Sequence, residues 1–205
     1  WLVELLQADW PDDWPAIVRA NNRIAPLWLR VNGVRAARAE VTDALQQQAI
    51  EFSLPEFPPG AIRLISAMAP TRLPGWDNGS ITVQDISAQL AAEALSIKPG
   101  ETVWDMCAAP GGKSAQLSEA RPAALLLTDS DPARLDKVDE LLHRLGLHNA
   151  GVMLQAWDAT QPLPDELPQC FDAILLDAPC SATGIIRRQP DVKWHRQVKD
   201  IARLN

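Results

Sequence analysis

Two short segments carry residue types that do chemistry at close spacing. The first is Asp105–Met106–Cys107–Ala108–Ala109–Pro110–Gly111–Gly112–Lys113, an acid and a thiol ahead of a glycine pair and a lysine. Gly111 and Gly112 let the backbone approach a ligand closely, and a helix starting near Lys113 presents free N–H groups to an anion. The second, Asp177–Ala178–Pro179–Cys180, sets a carboxylate three residues ahead of a thiol. Between them, Asp129 lies 24 residues beyond Asp105, where an acid at a strand end can accept hydrogen bonds from both ribose hydroxyls. Asp158 follows the next strand, where an acid or amide can meet an adenine amino group. In this order the four features point to a nucleoside-containing ligand.

A phosphate-binding P-loop is the obvious rival, because Gly112–Lys113–Ser114 resembles its end. Its first glycine would fall at 107, which is Cys107, and Pro110 removes one of the N–H groups that cradle phosphate. The NTPase reading is therefore set aside. Cys107, Cys170 and Cys180 match neither a disulfide framework nor a zinc knuckle, so a reduced, cytoplasmic setting is expected. His143, His148 and His195 show no ligand spacing, and no metal is expected. Trp194 beside Arg187, Arg188, Lys193 and Arg196 mixes a stacking ring with cations, as an RNA-facing surface does. A core anchor is the alternative for Trp194.

The elements that must position these residues are legible as patterns. Residues 1–75 read as a small α+β unit: helices over 1–6, 14–20 and 41–50, and strands over 26–32 and 61–65. Pro70, Pro74 and Gly75 mark a linker near 66–80. Strands then alternate with helices: strand 102–106, helix 113–120, strand 124–128, a helix capped by Asp131 and started by Pro132, strand 152–154 and strand 173–176. Leu135, Val138, Leu142 and Leu145 form one apolar stripe, and Gly146 stops that helix. The fold class is therefore α/β, a doubly wound parallel sheet over 76–205 preceded by the small unit. Such sheets bind ligands beyond the carboxyl ends of their strands, where all four acidic features fall.

The 205 residues suffice for one domain and a smaller companion, and 47% hydrophobic content supports a buried core. No apolar run reaches the ~18 residues of a membrane helix, and no membrane partner is expected. A net charge of −7 opposes nucleic-acid binding on average, but it is unevenly spread. Residues 185–205 hold Arg187, Arg188, Lys193, Arg196, Lys199 and Arg203 against two Asp, and residues 19–38 hold five Arg and no acid. Local basic patches thus remain available. The opening residue, Trp1, suggests a piece of a longer chain.

Asp105 to Lys113 and Asp177 to Gly184 together resemble two motifs of the RNA cytosine-C5 methyltransferases, and Ile185 to Trp194 is similar to their bacterial small-subunit rRNA branch. Trp28 to Asn32 and Val83 to Gln89 are similar as well, so the resemblance spans nearly the whole chain. It implies a Rossmann-like sheet that binds S-adenosylmethionine through Cys107, Ala108, Ala109, Pro110, Gly111, Gly112, Lys113, Asp129, Asp158 and Asp177. It implies an RNA partner, most closely small-subunit rRNA, contacted by residues 1–75 and by Arg187, Arg188, Lys193 and Trp194. Asp177, Cys180 and Lys113 are the implied catalytic group. In DNA cytosine methyltransferases the Pro-Cys thiol attacks the base, whereas in the RNA family this position assists product release; the resemblance favours release for Cys180. The family's attacking thiol lies in a Thr-Cys motif that this sequence does not reach, so cofactor binding without efficient turnover is expected. The family's NusB-like domain and last sheet strands are also lacking. A monomer is expected, and a non-catalytic RNA- or nucleoside-binding module, or an enzyme for another RNA such as tRNA, is the alternative.

Overall fold

The structure, a computed structural model, describes residues 1–201; Arg203, the last cation of the basic segment, lies outside them. Two compact units result, one made of residues 1–25 with those from 179 onward, the other of residues 26–178. The first unit contains α1 (Leu2–Asp9), α2 (Trp14–Asn21), α7 (Val192–His195) and α8 (Val198–Ile201).

The second unit contains two four-stranded sheets. The antiparallel sheet runs β2 (Phe52–Ser53), β3 (Ala61–Leu64), β1 (Leu27–Val31), β4 (Ile81–Val83), with α3 (Arg38–Gln47) between β1 and β2. Alternation along β1 and β3 sends Leu29, Val31, Ile62 and Leu64 into a core shared with Val41 and Leu45 of α3. The parallel sheet runs β7 (Val152–Ala156), β6 (Ala124–Asp129), β5 (Thr102–Asp105), β8 (Ala173–Leu175). Its strands are joined in part by α5 (Gly112–Glu119) and α6 (Pro132–Leu145), and α4 (Ile86–Glu93) precedes them. Leu125 and Leu127 pack with the α6 stripe Leu135, Val138, Leu142 and Leu145, all buried. Each such leucine contributes about 2 kcal/mol relative to an exposed one. Asp131 accepts a hydrogen bond from the Ala133 amide, and Gly146 ends the helix at φ 67°, as the pattern required.

The division at 75–76 expected from sequence falls within the second unit. Ile81–Val83 pairs with β1 and completes the antiparallel sheet, so that sheet extends past the proline-rich linker. Buried polar contacts then fuse the two sheets. Arg30 donates to Gln84 (2.6 Å) and pairs with Glu119 of α5. Asn32 donates to the carbonyl of Leu145 at 2.9 Å. Arg144 lies 4.0 Å over the Trp76 ring and donates to the Trp76 carbonyl. The stretch 19–38 is accordingly not one basic patch, since Arg30 is only 3% exposed. Among the described residues, no helix is long and apolar enough to cross a membrane.

Candidate functional site

Strand order sets the site. β5, β6 and β7 step to one side, whereas β8 lies on the other side of β5, so the order reverses between β5 and β8. A crevice opens beyond the carboxyl ends of strands at such a reversal. Asp105 ends β5 and Asp177 follows β8 by two residues, so the two acids straddle it.

Asp105 is 1% exposed. Its Oδ2 accepts from Ser114 at 2.7 Å, while its Oδ1 is buried without a hydrogen-bond partner. Burial pushes its pKa up to about 6, although Ser114 and the Lys113 charge pull the other way. Lys113, at the start of α5, reaches Asp177 at 2.5 Å. Gly111 adopts φ 98° ahead of α5, and the first N–H groups of that helix, from Gly112 to Ser114, have no carbonyl of their own to meet.

Asp129, 4% exposed at the end of β6, holds the turn in place. It accepts from the amides of Ala109 (3.3 Å) and Asp131 (3.1 Å) and pairs with Arg134 at 3.2 Å. Arg134 also donates to the Ala109 carbonyl at 3.0 Å, tying the turn to α6. Sequence reading missed Arg134. The available signal was a cation in the first turn of a helix, where the macrodipole disfavours it unless an acid stands nearby. Asp105 also went unassigned there as a binding residue, although it opens the motif.

The thiol of Cys107 is half-buried, and its pKa is raised by desolvation and by the carboxylates of Asp129, Asp105 and Asp177. A thiol so placed stays protonated and is a poor nucleophile. Asp158 lies two residues beyond β7, exposed, with its carboxylate accepting from the Thr160 amide (2.9 Å) and hydroxyl (2.8 Å). Those bonds hold it below the usual carboxylate range. Asp105, Cys107, Lys113, Asp129 and Asp177 thus form one electrostatic group, and Asp158 is a neighbour one strand further along.

The remaining candidates belong to the first unit. Cys180 is exposed, and its Sγ lies 3.4 Å from the Ala182 amide. Arg187 donates to the Ile24 carbonyl at 3.0 Å, and Lys193 reaches Asn22 at 2.8 Å, so both are partly spent on the segment after α2. Trp194 is 81% exposed, which removes the core-anchor alternative. Arg188 lies in the turn before α7. His143 and His148, whose spacing shows no ligand pattern, converge in space with Asp139.

Comparison with known proteins gives a consistent picture. The family profile "16S rRNA methyltransferase RsmB/F" matches residues 92–205, and "Methyltr_RsmF/B-like, ferredoxin-like domain" matches residues 1–71. Ribosomal RNA small subunit methyltransferase B of Yersinia enterocolitica is 46% identical over 207 residues, covering 100% of this chain and 47% of the relative. The chain therefore spans about half the length of the curated relatives it matches. Among solved structures, PH0851 superposes with a TM-score of 0.92 at 27% identity, covering 100% of this chain and 46% of that one. NSun6 from Pyrococcus horikoshii with SFG superposes at 0.83 with 18% identity, covering 99% and 75%, a likeness of fold.

Proposed function

The chain belongs to the RsmB/F family of 16S rRNA methyltransferases, and on that premise we propose that it holds the S-adenosylmethionine site of an enzyme that methylates C5 of a cytosine in RNA, most closely 16S rRNA. The observation that carries this reading is the convergence of Asp105, Lys113 and Asp177 where the strand order reverses. The residues suit the cofactor chemically. A buried carboxylate oxygen without a donor, an open helix turn and an acid at the end of β6 match a ligand with amino, carboxylate and ribose groups. NSun6 from Pyrococcus horikoshii, of the same fold, was solved with SFG.

S-adenosylmethionine, when bound, supplies an electrophilic methyl group. In this reading the amides at the start of α5 would hold the cofactor's carboxylate, and Asp129 would accept from the ribose with lone pairs left over from the turn. Asp158, one strand along, would hold the adenine edge. Lys113 holds Asp177, whose carboxyl meets the cytosine ring edge. Cytosine C5 would become nucleophilic only after a thiolate has added at C6; C5 would then take the methyl group as its bond to the sulfonium sulfur breaks, and loss of the C5 proton to a base would expel the thiolate from C6. Desolvation and the carboxylates around Cys107 disfavour its ionisation, which counts against it as that thiolate. Cys180 assists release of the methylated base. Arg187, Arg188, Lys193 and Trp194 contact RNA by charge and stacking.

The deciding experiment is calorimetric titration of the chain with S-adenosylmethionine, with Lys113→Met and Asp129→Asn alongside. Saturable binding weakened about tenfold in each variant is expected. A folded chain that takes up no cofactor, or variants that bind equally well, would remove the assignment. For Cys180, covalent trapping on 5-fluorocytosine RNA in an enzyme of the relatives' full length should survive Cys180→Ser; loss of trapping would make Cys180 the attacking thiol.

A further inference from the structure

On the outer face of α6, three potential ligands converge. Asp139 and His143 are one helical turn apart on the outer face of α6, while Val138 and Leu142 face the core. Beyond Gly146, the amide of Leu147 bonds back to the Leu142 carbonyl at 2.8 Å, which folds the chain over the helix end. That return lays His148 on His143, with ring centroids 4.4 Å apart and planes 18° from parallel. One ligand atom from each of the three residues lies within 4.8 Å of the others.

The distances and the chemistry agree on an occupant. Nδ1 of His143 and Nε2 of His148 each lie 3.3 Å from the same oxygen, Oδ1 of Asp139. Two atoms each bound about 2.0–2.1 Å from a tetrahedral zinc ion are separated by about 3.3–3.4 Å. Oδ1 is shielded from water and accepts no hydrogen bond, so neither imidazole satisfies it. A divalent cation meets all three groups at once. The His143 Nδ1, which lies 2.9 Å from the Asp139 carbonyl, gives up that bond and its proton on loading.

We propose that Asp139, His143 and His148 form a three-ligand site for a borderline-soft divalent metal such as zinc, with water completing the shell. The ion clamps the α6–β7 connection to the end of α6. The site is structural, on the face of α6 turned away from the core residues Val138 and Leu142. Its test involves no S-adenosylmethionine and is independent of the methyl-transfer reading.

The tag-free, metal-stripped chain would be titrated with cobalt(II) under visible absorption and with zinc(II) by calorimetry, beside His148→Ala and Asp139→Asn. Both variants alter partly exposed side chains, and circular dichroism verifies their folding. One equivalent should bind with a nitrogen–oxygen type cobalt spectrum, at least about tenfold more weakly in each variant. Zinc should raise the melting temperature of the parent chain but not of His148→Ala. Absence of stoichiometric binding, equal affinity in both variants, or a thiolate-to-cobalt band placing the metal on cysteine would each overturn the proposal.

Discussion

Arg30 and Glu119 form an ion pair that joins β1 of the antiparallel sheet to α5 beside the parallel one. Burial lowers the Arg30 pKa to about 10, so the guanidinium remains charged at neutral pH and depends on its partners. Glu119→Ala would leave that charge buried without its carboxylate, and should cost about 3–5 kcal/mol in urea unfolding. The double variant Arg30→Met/Glu119→Leu should recover most of the loss. A Glu119→Ala chain as stable as the parent would mean that the pair does not hold the sheets together.

Asp105 gives a pH signature. Its folded pKa, about 6, lies above the ordinary 3.8. The folded state therefore binds this proton more tightly than the unfolded one. The resulting stability is fully present below pH 4 and is lost as pH rises through 6, on the order of 2–3 kcal/mol. Asp105→Asn does not carry this loss. Melting temperatures measured from pH 4 to 8 should move in favour of the variant as pH rises, and a constant difference would contradict the assignment.

Arg134 is half-exposed, so its pair with Asp129 adds at most about 1 kcal/mol to stability. Its second bond, to the Ala109 carbonyl, fixes the cofactor turn. Arg134→Met should leave the melting temperature within a few degrees of the parent while S-adenosylmethionine binds several-fold more weakly. Equal losses in folding and binding would make the residue merely structural.

Gly111 combines a left-handed φ of 98° with close packing, since an added Cβ would lie 3.2 Å from Val138 Cα and from Leu141 Cδ2. Gly111→Ala should therefore destabilise the unit by about 1–3 kcal/mol and loosen the turn against α6. Thermal unfolding with cofactor titration on the same samples would test both effects.

Much of this was legible in the sequence because the signals are local. The Asp131–Pro132 start, the stripe from Leu135 to Leu145 and the Gly146 stop all follow from short-range geometry, as do the strands ending at Asp105 and Asp129. What was illegible depends on partners distant in the chain. Ile81–Val83 is too short to reveal which sheet it joins, and its pairing with Leu29–Val31 carries the antiparallel sheet past the linker. Arg30 read as a surface cation because Gln84 and Glu119 lie 54 and 89 residues away. The Asp139–His143–His148 cluster was hidden because the turn at Gly146, not periodicity, delivers its third member.

The ring of carboxylates around Cys107 bears on more than ligand binding. Peroxide and alkylating agents attack thiolates, so their rate at a cysteine follows the fraction ionised. Asp105, Asp129 and Asp177 keep that fraction low at Cys107, whereas Cys170 and Cys180 stand exposed to solvent. Oxidative damage should therefore fall first on the two outer thiols. The acids gathered beyond the ends of β5, β6 and β8 thus also keep the Cys107 thiol in reserve from oxidants.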